Sequence, residues 1–148
     1  MLKRVKFNNF KMFKNETIID LVPTKSEILK NYNIECGLLR GGLFFGGNAS
    51  GKTTALHAIR ILLDMLFKDT RFKSQNICFF SDSDVVKFEY MFVIDSNEIT
   101  YSFSVNKNGD ICTENLYMNN ECYLNRIGVQ ATTSLIPNFS FNGCNAGT

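Results

Sequence analysis

Proline, histidine and paired cysteines are scarce in this 148-residue chain. Two prolines, with no internal repeat and no low-complexity block, are not the composition of a disordered or fibrous chain. His57 is the only histidine, so a histidine-based metal cluster is excluded, and a Ser-His-Asp triad would have to be built around that one residue. Its position among the polar residues of a predicted helix reads instead as a solvated side chain. The five cysteines, Cys36, Cys78, Cys112, Cys122 and Cys144, are odd in number and contain no CxxC pair. Neither a disulfide framework nor a zinc site is implied, and reduced thiols that serve as small core residues fit better. No apolar run approaches the roughly 20 residues of a membrane-spanning helix, and no signal-type hydrophobic segment follows the basic start. A cytoplasmic location without a membrane partner is expected.

What the chain does have is apolar bulk. Hydrophobic residues make up 45% of it and phenylalanine alone supplies fourteen, enough to expect one domain over residues 1–148 with a well-filled core. The formal net charge of +2 is too small to argue for a polyanionic partner by itself. Its distribution is uneven, because Lys3, Arg4, Lys6, Lys11 and Lys14 all precede the first acidic residue. Such a stripe could meet DNA phosphates, but lysines on strands are more commonly just solvated, and that reading is preferred.

Residues 2–10 alternate polar and apolar side chains and residues 17–22 are β-prone, so two N-terminal strands are expected, with Asn15 and Glu16 marking the turn between them. Pro23 closes the second strand. The polar stretch after it reads as a loop with a short helix near residues 26–30. Residues 43–45 are predicted to form a short buried strand. From Lys52 to about Phe67 the residues Ala55, Leu56, Ile59, Leu62, Leu63 and Leu66 recur at helical spacing, with His57, Arg60, Asp64 and Lys68 on a solvated side. Three strands follow, over residues 85–94, 99–105 and 111–118, separated by turn-forming residues at 95–97 and 106–110, and together they predict an antiparallel meander. Asn119 and Asn120 suggest a further turn into residues 122–124. Residues 132–148 show no firm periodicity.

Between the short strand and the long helix lies Gly46-Gly47-Asn48-Ala49-Ser50-Gly51-Lys52-Thr53, which fills every specified position of G-x-x-x-x-G-K-[ST]. Glycines let successive backbone N–H groups converge on phosphate oxygens, and the following helix adds the partial positive charge of its N-terminus. In this pattern Lys52 bridges the β- and γ-phosphates and is the candidate catalytic residue, the Thr53 hydroxyl is a magnesium ligand, and Thr54 supports the α-phosphate. The cofactors expected are therefore ATP and Mg2+. A chance glycine-rich turn is the alternative, and the flanking strand and helix argue against it.

Residues 7–14 (Phe7-Asn8-Asn9-Phe10-Lys11-Met12-Phe13-Lys14), then Ile18-Ile19-Asp20-Leu21, then Phe44 and Phe45 running into the glycine loop, with Ala58-Ile59 in the helix, resemble the opening of ABC-type ATPases of the SMC, RecF and overcoming-lysogenisation-defect group. The resemblance covers about the first 65 residues closely and the later strands in outline. It implies an α/β fold, the N-terminal lobe of an ABC-type P-loop NTPase with an antiparallel β-subdomain. It also implies ATP hydrolysis in a DNA-linked or anti-phage ATPase, homodimerised through its heads, with a nuclease effector and DNA as further partners. By the same resemblance Lys11 approaches the nucleotide, whereas its other reading is a strand-edge lysine that discourages aggregation. The family also needs a Leu-Ser-Gly-Gly-type signature and an apolar strand ending in Asp-Glu, and no signature segment is present. Met91-Phe92-Val93-Ile94-Asp95 mimics the second, although Asp95 reads better as a hairpin residue.

This chain is accordingly expected to be a partial domain that binds ATP and hydrolyses it poorly until a C-terminal lobe and a dimer partner complete the site. Two alternatives remain from the sequence. One is a nucleotide-gated interaction module without turnover. The other is a small nucleotide kinase, which would need paired acids and an arginine-bearing lid that the β-rich second half does not suggest.

Overall fold

A computed structural model of the chain describes residues 1–24, 30–68, 71–134 and 140–142. Alternation in the first segment produces β1 (Leu2–Asn8), whose Val5 and Phe7 are buried while Arg4 and Lys6 face away. β2 (Thr17–Asp20) pairs antiparallel with it, and Arg4 and Asp20 form an ion pair at 2.6 Å across the two strands. The turn between them is not at Asn15 and Glu16. The chain reverses at Lys11 and Met12, with Phe10 and Phe13 hydrogen-bonded to each other at 2.9 Å in both directions. Asn9 and Lys11 reach φ of +60° and +52°, the left-handed conformation that lets the chain turn this early.

The expected helix near residues 26–30 falls largely outside the described residues. Beyond it are a single-turn helix α1 (Lys30–Asn33) and a small hairpin of β3 (Ile34–Glu35) and β4 (Leu38–Leu39). Residues 41–46 form no strand. The buried strand predicted at 43–45 is thus corrected: Leu43 and Phe45 are 76% and 85% exposed. A strand exists only beside a hydrogen-bonded neighbour, and no described segment runs alongside this one.

The long helix α2 (Lys52–Lys68) forms as expected. Ala55, Ala58, Ile61 and Leu62 are its buried residues, whereas Leu56, Leu63 and Leu66 are exposed. The helix is apolar on two sides, and the periodicity did not tell which one meets the sheet. On its polar side Asp64 pairs with Arg60 at 3.2 Å and with Lys68 at 2.7 Å.

A 3-10 turn at Ser74–Asn76 leads to the meander β5 (Val85–Ile94), β6 (Asn97–Asn106), β7 (Ile111–Met118) and β8 (Glu121–Ile127). Two further strands, β9 (Gln130–Thr133) and β10 (Ser140–Asn142), extend it where no periodicity was visible in the sequence. The eight long-range strands form one antiparallel sheet in the order β10-β9-β8-β7-β6-β5-β1-β2. Among the described residues the architecture is therefore antiparallel β with one long helix laid on one face. The antiparallel β-subdomain is present, but the parallel sheet of an α/β core is not among these residues.

The core lies between α2 and the centre of the sheet. Val5 and Phe7 of β1, Val86, Phe88 and Tyr90 of β5, and Phe103 and Val105 of β6 meet Ala58, Ile61 and Leu62 of α2. Phe88 stands edge-on to Phe10 at 5.2 Å, so that the positive ring edge of one meets the negative face of the other, and it lies tilted against Phe103 at 5.2 Å. The phenylalanines do not all join this core, since Phe45, Phe67, Phe79 and Phe80 are largely exposed. No disulfide is formed among the described cysteines; Cys78 is buried and Cys144 lies outside the described residues. No described helix is long and apolar enough to cross a membrane.

Candidate functional site

The glycine loop occupies residues 46–51, directly before α2. Its path depends on backbone conformations that side chains resist. Gly46 has φ +153°, and a Cβ there would lie 2.6 Å from the Ser50 Oγ; Gly51 has φ +95°, and a Cβ there would lie 2.6 Å from the Phe13 ring and 3.1 Å from the Met12 sulfur. Only glycine fits either place. The Phe13 ring in turn stands edge-on to Phe7 at 5.3 Å, so the sheet, the 10–13 turn and the loop pack as one block.

Lys52 is the first residue of α2, and its ammonium curls back over the loop. It donates to the carbonyl oxygens of Gly46 at 2.9 Å and Gly47 at 2.6 Å and to the Ser50 hydroxyl at 3.3 Å. Ala55 N–H to Gly51 O at 2.9 Å closes the first helical bond, which leaves the earlier N–H groups of the helix without intrahelical acceptors. Gly47, Asn48, Ala49 and Ser50 are exposed, as is Thr53, while Thr54 is half-buried. The fold thus brings Gly46, Gly47, Asn48, Ala49, Ser50, Gly51, Lys52, Thr53 and Thr54 into one loop and helix start, with a cation at its mouth and free N–H donors behind. These residues fit a magnesium polyphosphate: the loop has room only because Gly46 and Gly51 lack Cβ atoms, and its donor set is cationic and backbone N–H, with a threonine hydroxyl beside it.

Helix α2 is fastened to the sheet by a contact that sequence periodicity did not reveal. The Tyr90 hydroxyl, on a fully buried side chain, donates to Ala58 O at 2.7 Å, and Leu62 N–H faces the Tyr90 phenol oxygen. Burial drives the Tyr90 phenol far above its ordinary value, so it stays protonated and remains a donor.

His57, one turn into α2, is half-buried against the Phe10 ring at 5.7 Å and is not the solvated residue expected. Desolvation, followed by the nearby Lys11 charge, lowers its pKa below the usual 6.5. Lys11 is not a strand-edge lysine either: it sits in the 11–12 turn with its ammonium 5.8 Å over the Phe10 ring, and its N–H donates to Asn76 O at 2.8 Å. Asp95 lies in the two-residue turn between β5 and β6, with Asp95 and Ser96 at φ +48° and +68°. It stands five residues beyond Tyr90, roughly 16 Å further along the strand. The described residues contain no group of three or more His, Cys, Asp or Glu able to hold a metal ion.

A family model described as "AAA domain, putative AbiEii toxin, Type IV TA system" matches residues 43–144. No curated protein matches the chain. The family match begins just ahead of the glycine loop and takes in α2 and the meander that supports it. Matched over more than half of its length, the chain belongs to this AAA-domain family and carries a P-loop nucleotide-binding, ATPase-like domain.

Proposed function

We propose that residues 46–54 bind ATP with Mg2+, with Lys52 on the β- and γ-phosphates and Thr53 on the metal. The observation that carries this reading is the Lys52 ammonium poised over a loop in which Gly46 and Gly51, two of its three glycines, admit no Cβ. Bound Mg-ATP would supply the phosphoryl group, while the chain's own part is to hold and neutralise it. The test is binding of a fluorescent ATP analogue with Mg2+ to the chain and to Lys52→Ala. Loss of one charge-assisted contact, at about 1.5–3 kcal/mol, predicts roughly 10- to 100-fold weaker binding. Equal binding by the two proteins would overturn the assignment.

Hydrolysis needs more than these residues. Asp95 is a turn residue, and the described residues hold no cluster of three or more His, Cys, Asp or Glu that could take a metal ion. This supports the partial-domain reading, in which a C-terminal lobe and a dimerised second head complete an ATPase of the SMC, RecF and overcoming-lysogenisation-defect group. A second observation favours it as well: Leu56, Leu63 and Phe67 on one side of α2, with Leu43 and Phe45 before the loop, are apolar yet more than half exposed. A covering lobe would bury them. Robust turnover by this chain, abolished by Lys52→Ala, would refute the need for such a lobe, while ATP-dependent dimerisation without turnover would favour a nucleotide-gated interaction module. The setting proposed is cytoplasmic and DNA-linked, in anti-phage defence with a nuclease effector, and the toxin–antitoxin description of the matched family is compatible with that role.

A further inference from the structure

Beside α2, away from the glycine loop, is a cavity of about 210 Å³. Lys11, His57, Arg71, Lys73, Asn76 and Asp64 contribute its polar lining. The walls are knit by the backbone: Lys11 N–H donates to Asn76 O at 2.8 Å, Cys78 N–H donates to Asn9 O at 3.1 Å, and Phe10 bridges to Ile77.

Its charge is mostly positive. Asp64, the one carboxylate in the lining, is offset by ion pairs with Arg60 and Lys68. Among the described residues Lys11, Arg71 and Lys73 form no ion pair with any carboxylate. Asn76 is 93% buried, yet its carboxamide makes no hydrogen bond within the described residues. The carboxamide is not among the side-chain groups sealed from solvent without a partner, so its polar atoms stay accessible to whatever enters the cavity. His57 adds a neutral ring able to donate one N–H. Three cations, an amide and an imidazole converging on one small space ask for a compact anion with several acceptor oxygens.

We infer that this cavity is a second phosphate-binding subsite, separate from the glycine loop, which holds one phosphate group of a larger ligand or of free phosphate. Size supports a single group, since the cavity is below the roughly 300–1,000 Å³ of sites that enclose whole small molecules. Position supports separateness, since His57 and Asp64 lie five and twelve residues past Lys52, about 8 Å and 18 Å along the helix axis. The inference does not depend on ATP occupying the glycine loop.

His57 is the only histidine, so its ring protons give an isolated proton NMR signal at the cavity wall. Inorganic phosphate and a labelled oligo(dT) are titrated separately into the full chain. The expected result is a saturable shift of the His57 signal that is lost in Arg71→Ser/Lys73→Ser and retained in Lys52→Ala. Saturation by inorganic phosphate alone identifies a free phosphoryl group as the natural occupant. Saturation by oligo(dT) alone identifies a phosphodiester backbone; its binding then weakens with salt, and the double variant lowers the salt slope by about 1.4, at about 0.7 per lost single-strand phosphate contact. Both altered side chains are exposed, and Lys11→Gln repeats the test should the double variant lose its folded circular dichroism spectrum. A His57 signal that moves with neither probe, or that loses its response as fully in Lys52→Ala, overturns the inference.

Discussion

Gly51→Ala tests whether the 10–13 turn is the wall against which the glycine loop is built. Gly51 is buried at φ +95°, and an alanine Cβ would approach Phe13 Cζ to 2.6 Å, Phe13 Cε2 to 3.2 Å and Met12 Sδ to 3.1 Å. Two costs follow. Holding an L-residue in that backbone region costs about 1–3 kcal/mol, and overpacking against the Phe13 ring costs about a further 1–3 kcal/mol. Met12 is flexible and half exposed, so it yields cheaply; Phe13 is pinned edge-on against Phe7 at 5.3 Å and does not. The two costs separate in a double-mutant cycle. In the Phe13→Ala background the packing cost vanishes and only the backbone cost remains, so Gly51→Ala should destabilise by about 1–3 kcal/mol less there than in the parent chain. Urea unfolding followed by circular dichroism measures all four corners. An additive cycle, with Gly51→Ala costing the same in both backgrounds, would show that Phe13 does not support the loop and would refute the argument.

Tyr90→Phe removes the hydroxyl that reaches Ala58 O at 2.7 Å while keeping the ring in place, and it should cost about 1 kcal/mol in urea unfolding. His57 has a folded pKa depressed by burial and by Lys11, so the unfolded chain takes up its proton first as the pH falls. Stability should be full above the ordinary histidine pKa near 6.5 and decline as the pH falls through that value, until the lower folded pKa is reached; a thermal melt series from pH 7.5 to 5.5 should show this dependence, and His57→Gln should flatten it. Leu63→Lys, on the exposed apolar side of α2, should change stability by less than about 0.5 kcal/mol and reduce binding of a hydrophobic dye; marked destabilisation would mean that this side is already packed.

The features legible in the sequence are those with local causes. The turns of the meander could be read because Asp95-Ser96 and Asn119-Asn120 are residue types that tolerate positive φ, and all four adopt it, at +48°, +68°, +50° and +68°. The glycine loop was legible because each of its specified positions answers to a steric or electrostatic need. What the sequence hid are choices between equivalent faces and distant partners. Helix α2 carries apolar residues on two sides, and periodicity alone does not say that Ala58 and Ile61 face the sheet while Leu56 and Leu63 do not. The 11–12 turn is set by Asn9, whose carboxamide donates to Ser83 O at 2.6 Å and Val85 O at 2.9 Å, more than seventy residues away. β9 is short and peripheral, so little apolar alternation is demanded of it.

The same division between local and distant causes explains how the nucleotide loop is held. Everything behind the loop is supplied by this chain: Phe13 against Gly51, Phe10 against His57, and Tyr90 against the second turn of α2. These contacts tie the loop to β1 and β5 at the centre of the sheet, so a shift of the loop or of α2 must be carried by rigid elements and not absorbed by a flexible linker. In front of the loop the situation is reversed. Residues 47–50 and Thr53 are exposed, Leu43 and Phe45 are largely exposed, and Leu56 and Leu63 on the outer side of α2 are more than half exposed. A site with a fixed back and an open front holds a ligand in one orientation while leaving its reactive side to whatever docks there. A partner docked on that side would sense the state of the loop through α2 directly, because the helix that begins at Lys52 also presents Leu56 and Leu63 outward. Substituting Leu56 and Leu63 should consequently weaken any ATP-dependent association without weakening ATP binding itself, whereas Lys52→Ala should weaken both, and equal loss of binding in the two cases would place the outer face of α2 inside the nucleotide site.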